Sequence, residues 1–284
     1  MEGSMNGKVV MLTGANAGMG KEIALALAAL GAKVVMVSRD RARGEAARAE
    51  VQQKVAGADV DLLIADLSSQ QSIHNLVREF IARGDRLHVL INNAGVTQPR
   101  RLETADGLES VFATNHLGPF LLTSLLLPVL TASAPSRVVT VASGAHAMGK
   151  IDLDDLQSSH GYNEIRVYNQ SKLANLLFTY ELARRIAGSG VTANAADPGF
   201  VKTNLRVPFP YSIFSFMRGS AVDGARPAVF LASSPDVEGV SGRYFNQKGE
   251  LKSSKLSYDE DLARRLWDVS AGLTSRPHAA SSSR

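Results

Sequence analysis

A chain of 284 residues, of which 45% are hydrophobic, has the size of one large α/β domain or two small ones. The absence of cysteine excludes disulfide bonds, thiolate catalysis and zinc sites with sulfur ligands, and we predict no metal site. The formal net charge is +4, and its basic residues are scattered among acidic ones, so we predict no nucleic-acid surface. Pro119 and Pro128 interrupt the longest apolar run, and the N-terminus lacks a signal-peptide core. We therefore expect a cytoplasmic protein without a transmembrane segment.

Strands and helices are predicted to alternate along the chain. Short apolar runs predict strands at residues 9–12, 33–37, 60–65, 87–91, 137–142, 191–195 and 242–245. Helices are predicted at residues 22–30, 41–55, 73–81, 107–130 and 167–187. This alternation predicts an α/β fold of the Rossmann type, with about seven strands in a doubly wound parallel sheet and helices on both faces.

No linker, repeat or low-complexity segment divides this pattern. We expect a single domain over residues 7–273, after an N-terminal extension or tag remnant at residues 1–6 and before a flexible tail at residues 274–284. Ligands of such folds bind beyond the carboxyl ends of the strands, so the residues that follow the strands are the candidate site residues.

A glycine-spaced turn follows the first predicted strand. Thr13 precedes Gly14, Gly18 and Gly20 in the pattern T-G-x-x-x-G-x-G, and a helix begins directly afterwards. Glycine is needed where a Cβ would obstruct a tight turn or a close ligand, and the amides at a helix start suit a phosphate. The spacing differs from G-x-G-x-x-G, and an ordinary βα connection is the alternative. A P-loop is excluded because no Gly-Lys-Ser/Thr follows. We interpret the turn as a dinucleotide cradle.

Ser38 and Arg39 follow the second predicted strand. Sites that prefer NAD usually have a carboxylate here, which binds the ribose 2′-hydroxyl. A guanidinium instead can pair with a 2′-phosphate through two hydrogen bonds. Our hypothesis is a preference for NADP(H), and the alternative is that Arg39 pairs with Asp40 or is only solvated.

Polar side chains also follow the third, fourth and fifth predicted strands. They are Asp66 beside Leu67, Asn93 in the run N-N-A-G, and Ser143. Asp and Asn are common in plain turns, and a serine at a strand end is often a helix cap. No G-x-S-x-G elbow surrounds Ser143, so we do not expect an acyl-transfer nucleophile.

Tyr168 and Lys172 are four residues apart in a predicted helix and therefore share a face. The ordinary pKa of a tyrosine is near 10, and a nearby ammonium lowers that pKa because it favours the phenolate. The pair thus has a chemical rationale as proton donor and acceptor, although a surface pair is the alternative.

Together these features resemble the short-chain dehydrogenase/reductase family over residues 7–273. The glycine turn resembles its cofactor turn, and N-N-A-G resembles its fourth-strand motif. Pro198, Gly199 and Thr203 resemble the segment that clasps the nicotinamide. The order and spacing of its catalytic tetrad are matched by Asn115, Ser143, Tyr168 and Lys172.

The closer resemblance is to the retinol dehydrogenase-like branch. It is carried by TGANAGMGKE, NHLGPFLLT, YNQSKLANLLFT, ADPGFVKTNL, SPDVEGVSGRYF and ARRLWDVS. Many members of that branch carry a membrane anchor, which we do not find in this sequence. Residue 142 is Ala where a second Ser is frequent, and residues 205–220 have their own composition.

The resemblance implies hydride transfer between a nicotinamide and a carbonyl or alcohol. In that mechanism Tyr168 exchanges a proton with the substrate oxygen, while Lys172 lowers the pKa of Tyr168 and bonds the nicotinamide ribose. Ser143 polarises the carbonyl, and Asn115 holds a helix distortion and a water. The cofactor-binding residues that it implies are Thr13, Gly14, Asn16, Ala17, Gly18, Met19, Gly20, Ser38, Arg39, Asp66, Leu67, Asn93, Ala94, Gly95, Tyr168, Lys172, Pro198, Gly199, Val201 and Thr203.

Residues 207–217, VPFPYSIFSFM, are expected to cover the cofactor mouth. Aromatic linings suit lipophilic ligands, although the rings could instead pack a lid helix or a subunit contact. We expect a hydrophobic ketone, aldehyde or secondary alcohol, such as a retinoid, steroid or polyketide-like compound. The substrate contacts we predict are Ser143, Tyr168, Phe209 and Phe214.

Two other functions remain open on this fold. One is a catalytically idle nucleotide-binding protein that acts as a redox sensor or regulator, and the other is an epimerase or dehydratase. The intact tetrad favours the oxidoreductase. The resemblance also implies a homodimer or homotetramer built through the helices near Asn115 and Tyr168.

Overall fold

The computed structural model describes residues 4–199 and 219–275, which form an α/β sheet with helices on both faces. Its strands are β1 Val9–Thr13, β2 Lys33–Ser38, β3 Val60–Ile64, β4 Val89–Asn92, β5 Ser136–Val141, β6 Val191–Ala196, β7 Tyr244–Asn246 and β8 Gly249–Glu250. The spatial order is β3-β2-β1-β4-β5-β6-β7-β8. All neighbouring strands run parallel except β7 and β8, which pair antiparallel. The carboxyl ends of β1 to β7 therefore lie along one edge.

Eight α-helices surround this sheet in the described part of the chain. They are α1 Gly18–Ala29, α2 Arg41–Lys54, α3 Gln70–Ala82, α4 Ser110–Phe112, α5 Gly118–Ala132, α6 Glu164–Arg185, α7 Ala221–Ser233 and α8 Glu260–Thr274. A π-helical turn, Ala113–Leu117, joins α4 to α5. A 3₁₀ turn, Gly144–Met148, follows β5, and two more lie at Pro235–Val237 and Lys255–Tyr258.

Side chains of strands β1 to β6 enter two separate cores, one on each face of the sheet. Val10 and Leu12 of β1 pack in the cluster that includes α1 and α7. Their neighbours Val9 and Met11 pack in the cluster that includes α3, α5 and α6. Burial on both faces explains why these strands are continuous apolar runs rather than alternating ones. The predicted doubly wound parallel sheet is thus confirmed.

The structure differs from the sequence prediction in its last third. It adds β8, whose two residues are too short to give a pattern, and the helices α7 and α8. Helix α7 contains Pro227, which has no N–H for the carbonyl of Asp223. The side chain of Gln247 donates to that carbonyl instead, at 2.9 Å, so the helix continues through the proline.

The predicted termini of the domain can be placed only in part. Residues 1–3 of the expected extension and residues 276–284 of the expected tail lie outside the described residues. Met5 belongs to the first core cluster, and its N–H donates to the carbonyl of Leu30 at 2.8 Å. The packed part of the chain thus begins two residues before the predicted boundary at residue 7.

One stretch of the described chain, Ser110–Ala132, is long and apolar enough to cross a membrane by length and composition alone. The sequence predicts that Pro119 and Pro128 interrupt it. Instead Pro119 lies in the first turn of α5, and Pro128 lies within that helix. In the most apolar window, 67% of the residues are buried inside the domain, as in a core helix.

Helix α8 covers one face of the helices that the resemblance assigns to a subunit interface. Trp267 of α8 stacks on Phe178 of α6 at 5.8 Å and meets Phe120 of α5 edge-on at 4.9 Å. Ser270 of α8 lies 2.9 Å from Nε2 of His116 in the π-helical turn. The homodimer or homotetramer stays a prediction, and it would have to use another face of these helices.

Candidate active site

A cleft of about 740 Å³ opens at the carboxyl edge of the sheet, where ligands bind in folds of this kind. It is lined by these predicted site residues: Gly14, Asn16, Ala17, Gly18, Met19, Gly20, Ser38, Arg39, Asp66, Leu67, Asn93, Ala94, Gly95, Ser143, Tyr168, Lys172, Pro198 and Gly199. Thr13 and Asn115 lie outside this lining. Val201, Thr203, Phe209 and Phe214 lie outside the described residues.

Glycine is required at two positions of the turn after β1. A Cβ added at Gly20 would lie 2.1 Å from the carbonyl oxygen of Gly14 and 2.7 Å from Nδ2 of Asn93. Gly14 has φ +66°, and its Cβ would lie 2.9 Å from the Cα of Ala94. Both contacts involve backbone atoms, so the turn would have to move to admit any side chain. Close packing of this turn on the end of β4 thus explains Gly14 and Gly20.

The start of α1 meets the cleft without a side-chain cap. Its N-cap is Ala17, which has no acceptor to offer, and the first turn contains no acidic residue. A Cβ at Gly18 would meet nothing within 4 Å, so the space beside the turn is open. Uncapped amides and the positive end of the helix dipole fit an anion such as a pyrophosphate. The cleft therefore fits the phosphates of a dinucleotide.

Lys21 does not contribute a free cation to this helix start. Its ammonium donates to Glu50 at 2.6 Å, and Lys54 donates to the other carboxylate oxygen at 2.8 Å. These hydrogen bonds lower the pKa of Glu50 to about 2. Backbone amides, rather than this lysine, are thus the donors that the turn offers to a phosphate.

Thr13 joins the ends of β1 and β4 beneath the cleft. Its hydroxyl accepts from the N–H groups of Asn93 and Ala94, at 2.9 and 3.1 Å, and donates to the carbonyl of Ile91 at 3.3 Å. The side chain of Asn93 in turn donates to the carbonyl of Thr13 at 2.8 Å. In this structure Thr13 supports the cradle from behind.

Thr13→Val should lower the free energy of unfolding by about 2 kcal/mol, because two backbone N–H groups lose their acceptor at nearly constant volume. Denaturant unfolding measures the change. Thr192→Val on β6 is the matched control, since the hydroxyl of Thr192 has no hydrogen bond with any residue that the structure describes. Equal losses in the two variants would contradict the supporting role of Thr13.

Two arginines lie at the end of the cleft that follows the carboxyl end of β2. Asp40 caps α2 by accepting from the N–H of Arg43 at 2.9 Å, and its carbonyl accepts from Ser38 at 2.9 Å. Arg39 and Arg43 are exposed, line the cleft and form no ion pair with a described residue. The sequence reading missed Arg43, although a second arginine four residues after Arg39 was a usable signal. This end of the cleft is suited to a dianion.

Lys172 and Tyr168 lie together at the opposite end of the cleft. Lys172 is only 4% exposed, and its ammonium donates to the carbonyl of Val141 at 3.2 Å. It lies 5.6 Å from the centroid of the Tyr168 ring. Burial lowers the pKa of Lys172 to about 8, and the charge of Asp197 opposes this shift. The predicted pair is thus inside a cleft and not on the surface.

Asn115 connects the π-helical turn to the cleft wall without lining it. Its side chain accepts from the N–H of Val96 at 2.8 Å, and it donates to the carbonyl of Val96 and to Ser171 at 3.0 Å. Pro119 has no N–H for the carbonyl of Asn115 four residues earlier. The structure therefore contains a helix distortion at this residue, as the resemblance implied.

Ser143 is held at the end of β5 by a histidine that the sequence reading missed. The Ser143 hydroxyl accepts from the N–H of Ala145 at 3.2 Å, which leaves its own proton available. Nδ1 of His146 lies 2.7 Å from the Ser143 carbonyl, and Nε2 accepts from the N–H of Ser254 at 3.0 Å. An amide N–H can only donate, so the proton of this neutral ring is on Nδ1. His146 thus ties the serine to the C-terminal part of the domain.

One part of the cleft lining combines apolar and polar side chains. It consists of Val96, Thr97 and Gln98, and the hydroxyl of Tyr162 anchors it by donating to the carbonyl of Gln98 at 2.9 Å. Met148 of the 3₁₀ turn also lines the cleft, with 59% of its surface exposed. An exposed methionine at the mouth of a cleft suits an apolar ligand.

Comparisons with known proteins agree with this geometry. The family model for short chain dehydrogenase matches residues 8–210. Human retinol dehydrogenase 14 is 45% identical over 291 residues, which cover 94% of this chain and 86% of the relative. Human retinol dehydrogenase 12 is 43% identical over 272 residues, with the same coverage of 94% and 86%.

Solved structures show the same fold. An uncharacterised protein from Mycobacterium paratuberculosis matches with a TM-score of 0.79 and 37% identity, covering 98% of this chain and 97% of that one. RhlG of Pseudomonas aeruginosa, in an active-site complex with NADP, matches with a TM-score of 0.70 and 26% identity, covering 85% and 94%. The chain therefore belongs to the short-chain dehydrogenase/reductase family, in its retinol dehydrogenase-like branch, and is a nicotinamide-dependent oxidoreductase of the carbonyl–alcohol class.

Proposed function

We propose that this protein is an NADP(H)-dependent oxidoreductase that interconverts a carbonyl and an alcohol on a lipophilic substrate, with Tyr168 as the acid/base. One observation carries the proposal. The buried Lys172 ammonium lies 5.6 Å from the Tyr168 ring, in the cleft that also contains the uncapped start of α1.

The cleft offers a distinct place to each part of the cofactor. The amides at the start of α1 would hold the pyrophosphate, and the residues after β3 and β4 would hold the adenosine half. Lys172, Pro198 and Gly199 would hold the nicotinamide end, with Val201 and Thr203 proposed from the resemblance. When bound, the nicotinamide supplies or accepts the hydride.

The protein's own part in the reaction is to move a proton and orient an oxygen. During reduction the hydroxyl of Tyr168 gives its proton to the substrate oxygen, and during oxidation the phenolate takes that proton back. The Lys172 ammonium favours the phenolate because opposite charges attract. Ser143 donates a hydrogen bond to the same oxygen, because its own hydroxyl proton is available.

Arg39 and Arg43 carry the proposed preference for NADP(H). Each guanidinium can form charged hydrogen bonds with a 2′-phosphate, which NADH lacks. Arg39→Ala or Arg43→Ala should raise the Kd for NADPH roughly 10-fold and leave that for NADH unchanged. Nucleotide fluorescence titrations measure both constants.

The matched control for these variants is Arg41→Ala. Arg41 is exposed on the same helix and lies 4.0 Å from Glu45, and it does not line the cleft. Its replacement should leave both Kd values unchanged. Equal weakening of NADH and NADPH by Arg39→Ala would contradict the proposed preference.

The substrate is proposed to be retinoid-like or similarly lipophilic. The relatives at 43–45% identity carry the name retinol dehydrogenase, and Val96 and Met148 give the cleft lining apolar surface. Phe209 and Phe214 are proposed to complete this wall. The cytoplasmic location and the homodimeric or homotetrameric state stay predictions.

A carbonyl panel tests the proposed function. Purified protein is incubated with NADPH and retinaldehyde, a steroid ketone and a polyketide-like ketone, while the absorbance of the reduced nicotinamide is followed and the products are analysed. We expect loss of absorbance together with the matching alcohol. Tight nucleotide binding without turnover of any carbonyl or alcohol would instead support the idle redox sensor.

A further inference from the structure

Asp197 brings a second charged group to the nicotinamide end of the cleft. It directly follows β6, lines the cleft and is only 9% exposed. A Cβ added at Gly144, the residue after Ser143, would lie 3.8 Å from its Oδ2. Asp197 is thus a carboxylate in the wall beside the residue proposed to polarise the substrate.

The strand register places Asp197 and Lys172 at neighbouring strand ends. Lys172 donates to the carbonyl of Val141, which ends β5. Val141 is the register partner of Ala196 in β6, and Asp197 is the next residue. The two charged residues thus line the same part of the cleft from neighbouring strand ends, and the charge of Asp197 acts on Lys172 from beyond 4.0 Å.

The orientation of the carboxylate is fixed by two donors. The hydroxyl of Tyr244 donates to Oδ2 at 2.7 Å, and the N–H of Gly199 donates to Oδ1 at 2.9 Å. Tyr244 is 1% exposed, and burial raises its pKa, so it remains a neutral donor. Among the described residues, neither Asp197 nor Lys172 forms an ion pair within 4.0 Å, with each other or with a third group.

We propose that Asp197 is a positioning residue whose carboxylate keeps Lys172 in its ammonium form beside Tyr168. This inference rests on the proposed function, because Lys172 acts there as a cation. The charge attraction works against the burial that favours neutral Lys172. Without the carboxylate, a larger fraction of Lys172 is neutral near pH 7, and the help that it gives to the Tyr168 phenolate is lost.

The titratable neighbours of this pair are few within the described residues. Tyr168 faces Lys172 from the same helix, and Asp197 faces it from the end of β6. Tyr244 lies behind Asp197, and the ring of His146 meets Tyr244 edge-on at 5.2 Å. Because Nε2 of His146 accepts an amide N–H, that ring is neutral, and Asp197 is the charge that faces Lys172.

The test compares a variant that removes the charge with one that keeps it. Asp197→Asn retains the shape of the side chain, whereas Tyr244→Phe retains the carboxylate and removes one of its donors. The pH profile of kcat/KM for carbonyl reduction is measured for both variants. We expect Asp197→Asn to move the alkaline midpoint down by roughly one pH unit, and Tyr244→Phe to leave the midpoint in place even where its rate is lower.

A binding readout separates this inference from the proposed function. The Kd for NADPH is measured by fluorescence between about pH 6 and pH 9. Binding should weaken as Lys172 loses its proton, and in Asp197→Asn this weakening should begin at a lower pH. This readout works even if the wild type turns over no carbonyl, which would overturn only the proposed function. Wild-type midpoints in both readouts for Asp197→Asn would overturn the inference. Should that variant not fold, Asp197→Ser replaces it, since a serine hydroxyl can still accept the N–H of Gly199.

Discussion

Tyr168→Phe should reduce kcat by roughly 10³-fold, because the substrate oxygen loses the group that exchanges a proton with it. The Kd for NADPH should change by less than about 3-fold, since the phenyl ring and the buried Lys172 both remain. Steady-state kinetics and fluorescence titration measure the two effects on the same preparation.

Tyr258→Phe is the matched control for this loss. Tyr258 is 50% exposed, and its hydroxyl accepts from the N–H of Ser253, outside the cleft lining. The control should keep wild-type turnover. Wild-type turnover in Tyr168→Phe itself would remove Tyr168 from the mechanism.

Gly20→Ala should weaken nucleotide binding by roughly 10- to 100-fold and destabilise the protein by about 1–3 kcal/mol, as expected for overpacking. The added Cβ would lie 2.1 Å from a backbone oxygen that cannot rotate away. Isothermal titration with NADPH and thermal unfolding measure the two effects.

Gly272→Ala provides the control because Gly272 is also helical, and its Cβ would meet nothing within 4 Å. Alanine is the better helix former, so this variant should keep its affinity and gain up to about 1 kcal/mol of stability. A Gly20→Ala protein with wild-type affinity would mean that the turn does not hold the cofactor.

The fold was predictable to the extent that it depends on local pattern. Runs such as β1 and β2 are apolar on both faces, so their positions and the parallel sheet followed from the sequence. Helix α7 was missed because Pro227 normally ends a helix, and its freed carbonyl finds Gln247 only in the folded chain. The helix predicted over residues 107–130 does run through Pro119 and Pro128, so these prolines do not interrupt the apolar run.

The candidate site was predictable where a motif lies at a strand end. The glycine turn, Ser143, Tyr168 and Lys172 line one cleft, as expected from parallel strands that share one edge. Thr13 lies behind the lining instead, where its hydroxyl accepts hydrogen bonds from the backbone N–H groups of Asn93 and Ala94.

The residues that sequence reasoning missed depend on contacts between distant parts of the chain. Tyr244 reaches Asp197 across 47 positions, and His146 reaches Ser254 across 108. No local sequence pattern predicts contacts between residues so far apart in the chain. Their roles became visible only once β6, β7 and the segment after β8 were placed beside the cleft.

A crystal structure of the complex with NADP(H) tests the central claim most directly. We expect the Tyr168 hydroxyl and the Lys172 ammonium to lie within hydrogen-bonding distance, about 3 Å, of the nicotinamide ribose, with the hydroxyl facing the reacting ring. A Tyr168 hydroxyl that points to bulk solvent, with the nicotinamide bound elsewhere, would contradict it.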